Sequence, residues 1–171
     1  MMTIHDEIRT KTTVHEVGHA VAAVLRGGEL VFVEIEDDGM SGVTRWSQPS
    51  DKDITAFVAW AGPYYEHLWL TEHNADYSEG VDGEEVAYSV YELMEGSDRE
   101  LYDTAVDNLE EAAERLGLSP VGQNWCRTWA YELSDFYPVA VSLAERLARG
   151  ETLTHELVVD AITARQAELD A

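Results

Sequence analysis

Two histidines four residues apart, His15 and His19, stand inside an apolar repeat of helical period, and that placement constrains this chain more than anything else in it. Apolar or small residues recur at Ile4, Ile8, Val14, Val17, Gly18, Val21, Val24 and Leu25, so the spacing predicts a helix over 4–26. Gly27 and Gly28 then end it, because glycine takes the left-handed conformation that closes a helix. Four residues advance an α-helix by about 400° and about 6 Å, which puts both imidazoles on one face. Two ring nitrogens can then converge on one tetrahedral ion, the geometry zinc prefers. Glu16 flanks that face, completing the pattern H-E-x-x-H, and is placed to take a proton from metal-bound water. Thr13-x-x-Glu16 also matches a capping box, which would start the helix at Thr13 and leave both histidines incidental. That reading wastes the periodicity at Ile4 and Ile8.

A catalytic zinc takes three protein ligands and keeps one position open. Two arrive with the motif. The third is left among downstream carboxylates and His67, His73 and His155, and Cys126, the only cysteine, is too isolated to offer a thiolate cluster.

The rest of the chain reads as a hairpin followed by helices. Residues 29–46, rich in β-branched side chains, predict two strands joined by a turn at Asp37, Asp38 and Gly39. A helix is expected over 54–70 with a bend at Gly62-Pro63, then an acidic linker, TEHNADYSEGVDG. Helices follow near 83–95, 98–116, 120–147 (with a break at Pro138) and 154–169. The fold class is α+β, mainly helical with a small early sheet. The expectation is a single domain over 1–171, with a metal-site half at 1–95 and a helical half at 96–171.

Composition narrows the partners. Thirty-four acidic against eleven basic residues give a formal net charge of −23, which repels phosphate and argues against direct nucleic-acid binding. No apolar run approaches the roughly 18 residues that cross a bilayer, and MMTIHDEIRT lacks the pattern of a secretory signal. The chain is expected to be cytoplasmic. Arg99, Arg115 and Arg127 among many acids read as a solvated face, and Trp60, Trp69, Trp125 and Trp129 as packing anchors.

HEVGHAVAAVLRGG, then a strand, then GMSGVT, resembles the peptidase domain of FtsH-type zinc proteases. FVAWAGPYYEHLW resembles that family's A-G-x-x-A-E helix, here Ala61, Gly62 and Glu66, and LAERLARGETLTHELVVDAI resembles its terminal helices around Glu151, Thr152 and Leu153. The resemblance covers most of the 171 residues. It implies a third zinc ligand, an aspartate opening the helix after the A-G-x-x-A-E helix. In GVDGEEVA that residue is Asp82, with Glu85 its rival and Glu84 behind both. Two departures stand out. The phosphate-loop pattern GxxxxGK[ST] of the family's ATPase occurs nowhere in the sequence, and Pro63, Tyr64 and Tyr65 follow Gly62 where small residues are usual.

The expectation is a zinc-dependent peptidase acting on a peptide or protein substrate. His15, His19 and Asp82 hold Zn2+, and Glu16 is the general base. Tyr64, Tyr65, Tyr88 and His73 have the chemistry of a second electrophile, and the strand at Gly42 to Thr44 that of an edge receiving an extended substrate. Two rivals are a non-catalytic zinc-stabilised interaction module and an acidic decoy for a basic partner.

Overall fold

The computed structural model describes residues 4–77, 83–118 and 124–171. In chain order the elements are α1 (Ile4–Leu25), β1 (Glu29–Ile35), β2 (Gly42–Ser47), α2 (Thr55–His73), α3 (Gly83–Leu93), α4 (Gly96–Arg115), α5 (Asn124–Ala148) and α6 (His155–Leu169). The class is the expected one, mainly helical with one two-stranded antiparallel sheet among the described residues.

α2 is the axis of the fold. Every residue from Ala56 to His67 is buried, and Trp69 with them. A helix that is apolar on all sides has to be enclosed on all sides. α1 lies along it, α4, α3 and α5 also pack on it, and the hairpin covers α1. α1 and α2 meet at two glycines. A Cβ on Gly18 would stand 2.8 Å from Tyr65 Cδ2 and 3.1 Å from Gly62 Cα, so only a bare backbone permits this approach.

α1 ends as expected. Gly27 has φ 79°, Gly28 N–H donates to Ala23 O and Gly27 N–H to Val24 O, the paired bonds of a Schellman closure. The capping-box alternative is set aside by position. Thr13 is buried well inside α1, and its hydroxyl donates to Arg9 O at 2.7 Å.

In the hairpin, Gly39 (φ 69°) turns the chain, and β2 alternates half-buried Gly42, Thr44 and Trp46 with exposed Val43, Arg45 and Ser47. The half-buried set faces α1.

Two expectations are corrected. α5 runs unbroken through Pro138, where a break was expected. Phe136, Tyr137, Val139 and Ala140 on either side are buried, and their packing outweighs the hydrogen bond that proline removes. Arg99 is not a solvated charge. Its Nη2 donates to Tyr91 O at 2.8 Å and its guanidinium lies 4.6 Å from the Tyr91 ring centre, tying the start of α4 to the end of α3. The four tryptophans pack as expected: Trp60 and Trp69 are buried, Trp129 lies against Phe57 and Trp60, and Trp125 lies against Trp129.

Candidate metal centre

His15 and His19, one turn apart on α1, point their Nε2 atoms at each other, 3.1 Å apart. Their other nitrogens are already engaged. His19 Nδ1 lies 2.7 Å from the backbone carbonyl of Val58, which can only accept, so this nitrogen carries the proton. His15 Nδ1 lies 2.8 Å from Glu66 Oε2, and the other Glu66 oxygen pairs with Lys11 Nζ at 2.8 Å. In their neutral form both rings therefore turn an Nε2 lone pair toward the same point. A carboxylate or carbonyl behind a histidine is the arrangement that fixes a metal-binding tautomer.

The third group at that point is Asp98. Its Oδ2 stands 2.9 Å from His15 Nε2 and 3.3 Å from His19 Nε2. Asp98 occupies the first turn of α4, where the helix dipole favours an acid. His15, His19 and Asp98 form a group able to hold a metal ion, their ligand atoms all within 4.8 Å of one another. Ligand atoms on a zinc tetrahedron with arms of about 2.0–2.2 Å stand about 3.3–3.6 Å apart. The separations here, 2.9 to 3.3 Å, come close to that figure.

The donor set also fits a cation on electrostatic grounds. Two lone pairs and a carboxylate oxygen face one another, and a proton or a metal has to sit between them. Without metal the site favours protons. Burial works to lower the His15 pKa, but hydrogen bonds and charge from Asp98 and Glu66 outweigh it and raise the ring to about 10. His19 is raised too, burial opposing and Asp98 prevailing. Burial alone would raise both carboxylates. The imidazoles instead hold Asp98 far below the usual range, and His15 with Lys11 lowers Glu66.

Backbone shape makes room for the rings. A Cβ on Gly62 would fall on the His19 ring, on Nε2 above all, so the α2 backbone must be bare there. Beside the three groups lies a cavity of about 570 Å³, lined among others by His15, Glu16, His19, Thr44, Glu95 and Asp98. Glu16 is buried at its edge, and Thr44 Oγ1 lies 2.7 Å from Glu16 Oε2.

Residues 9–71 match a family model described as Peptidase M50B-like. The match supports a metallopeptidase domain and takes in His15, Glu16, His19, Thr44 and Glu66; Asp98 lies beyond it. No curated protein and no solved structure matches this chain. The FtsH-type likeness rests on the sequence motifs alone.

His15, Glu16 and His19 line one cavity, and the two imidazoles meet at their Nε2 atoms. Asp82 lies outside the described residues. Glu85 is exposed on α3, and the side chain of Glu84 is not among those described. The other candidate histidines are engaged elsewhere. His67 is buried with Nδ1 2.8 Å from the Tyr77 hydroxyl, His73 stacks on Trp69, and His155 Nδ1 accepts from Leu30 N–H. Among the tyrosines, Tyr64 and Tyr65 donate to the carbonyls of Ala130 and Leu133, and Tyr88 is exposed. Sequence reasoning missed Asp98 and gave Glu66 no role. A signal existed for each: Asp98 is an acid opening a helix, and Glu66 is a charge inside an otherwise apolar run.

Proposed function

We propose that this chain is a zinc-dependent peptidase, with His15, His19 and Asp98 as the metal ligands and Glu16 as the general base. The observation that carries the reading is the pair of Nε2 atoms facing Asp98 Oδ2 while Glu66 and the Val58 carbonyl engage the two Nδ1 atoms. Held by these three residues, zinc would supply Lewis acidity toward the scissile carbonyl and the attacking water. Glu16, at the cavity edge, takes that water's proton and returns it to the leaving amine. Glu66 and the Val58 carbonyl keep both imidazoles in the ligating tautomer. The cavity admits an extended segment, and β2 alongside it offers an edge for strand addition.

The FtsH-type resemblance gives Asp82 the role assigned here to Asp98; the resemblance supports the one and the geometry the other. A cytoplasmic setting, expected from the composition, belongs to the same proposal. Among the described residues no helix is long and apolar enough to cross a membrane. Of the two rival readings, a zinc-stabilised interaction module does not need an acid held beside the ligands at an open cavity.

The test has two parts. Elemental analysis of untagged protein never exposed to chelator should find one zinc per chain. Glu16→Gln should keep that zinc and lose about 10²–10⁴-fold in turnover of an unfolded protein substrate such as labelled casein. Undiminished hydrolysis by the metal-loaded variant excludes Glu16 as the base.

A further inference from the structure

We infer that Thr44 is a positioning residue for the Glu16 carboxylate, and that β2 rather than α1 sets where the proposed base stands. The inference rests on the peptidase reading for its consequence, but its geometry is independent of that reading.

A helix fixes the backbone of Glu16 and leaves its carboxylate three rotatable bonds from α1. A base that wanders is a poor base, since a misplacement of about 1 Å at a reacting group can cost about 100-fold in rate. Two features of β2 remove that freedom. The Thr44 hydroxyl lies 2.7 Å from Glu16 Oε2 and 2.8 Å from the Glu16 backbone oxygen, so its single proton can reach either oxygen of the same residue. Two residues earlier, on the same face of the strand, Gly42 leaves the space that the Glu16 stem fills. A Cβ there would stand 2.7 Å from Glu16 Cγ, with Ile35 Cδ1 and Glu34 O closing the other sides.

The chemistry of a hydroxyl suits this place. Its single proton has two acceptors in reach, the carboxylate and the carbonyl. When Glu16 carries the abstracted proton, the hydroxyl can turn to the carbonyl and accept from the acid. Threonine's branched Cβ restricts χ1, so the hydroxyl is aimed before substrate arrives. The carboxylate oxygen not engaged by Thr44 remains available to the attacking water.

The experiment compares Thr44→Val, which keeps shape and loses the hydroxyl, with Thr44→Ser, which keeps the hydroxyl. Three readouts are taken on the zinc-loaded full chain: kcat and KM on fluorescein-labelled casein, zinc per chain, and the Glu16 carboxylate position in a crystal structure. The valine variant should lose about 10–100-fold in kcat, with KM within about twofold and one zinc retained, and its carboxylate should leave the wild-type position. Serine should recover most of the loss. Wild-type kcat in the valine variant, an unmoved carboxylate, or a serine variant as poor as valine overturns the assignment. If the wild type cleaves no casein and Glu16→Gln changes nothing, the peptidase reading is what fails. The crystallographic comparison then still decides whether Thr44 holds Glu16.

Discussion

The Nε2 atoms of His15 and His19 face each other across 3.1 Å, and neither can donate to the other while both rings are neutral. Val58 O and Glu66 hold the Nδ1 protons on the far sides, and Asp98 adds a negative oxygen to the same small volume. Such a cluster is stable only around positive charge. The fold builds it from three separate elements, α1, the start of α4 and the middle of α2, so nothing local to α1 accounts for it.

Ligand identity follows from that assembly. Asp98→Ala removes an oxygen that stands within 3.3 Å of both Nε2 atoms and should weaken zinc binding by more than about 100-fold, beyond the usual effect of a residue that only supports a ligand. Asp82→Ala and Glu85→Ala should change it much less. Competition with a chromophoric chelator measures all three. A larger loss in Asp82→Ala than in Asp98→Ala would return the ligand role to Asp82.

Protons and metal compete for the cluster, which gives a pH dependence of definite sign. The His15 pKa is raised to about 10 in the metal-free fold, burial opposing and Asp98 and Glu66 prevailing, against an ordinary value of 6.5. A raised histidine stabilises the fold fully below the unfolded value, and its contribution is lost as pH rises toward the folded one. Metal-free protein should therefore melt at a lower temperature at pH 9 than at pH 7, before exposed tyrosines ionise. Zinc-saturated protein should show little change over that interval, because the ion takes the proton's place. Binding near pH 7 should release protons, visible as a calorimetric enthalpy that varies with buffer ionisation heat. An enthalpy independent of buffer would contradict the assignment.

What could be read from the chain and what could not divide along physical lines. The spacing of His15 and His19, the β-branched run and turn of the hairpin and the glycine closure at Gly27 are local, and local pattern carries them. The Asp98 contact spans 83 residues of sequence and depends on how the α3–α4 corner, pinned by Arg99 on Tyr91, turns the first turn of α4 toward α1. No spacing rule reaches that far. Val58 contributes a backbone carbonyl, which any residue would offer, so its side chain holds no trace of the role. The opening acid of a helix is a sound signal, but three helices after α2 begin with acids: α3 with Glu84 and Glu85, α4 with Asp98 and α6 with Glu156. Choosing between them requires the tertiary path.

The cavity also favours one class of substrate. Glu16, Glu66, Glu92, Glu95 and Asp98 line it, with Lys11 the one lysine or arginine among its described lining residues, and Glu92 and Glu95 are exposed. Peptides with lysine or arginine beside the scissile bond should have higher kcat/KM than acidic ones. Replacing Glu92 and Glu95 by glutamine should remove up to about fivefold of that preference per charge. The preference should fade between 0.1 M and 1 M salt, as the screening length falls from about 10 Å to about 3 Å. Equal rates on matched basic and acidic peptides at low salt would refute this.

Gly62 links packing directly to the metal. An added Cβ would fall on the His19 ring, so Gly62→Ala must push the ring away or part α1 from α2. Either response costs about 1–3 kcal/mol as overpacking, and either moves a ligand. Gly27→Ala provides the comparison. Gly27 has φ 79° but nothing within 4 Å of its missing Cβ, so alanine there strains the backbone without touching the site. Both variants should melt below the wild type. Only Gly62→Ala should also lose zinc affinity, measured by chelator competition at a temperature where both variants are folded. Equal zinc affinity in the two would mean that the His19 ring can yield without losing the ion, and that Gly62 serves helix packing alone.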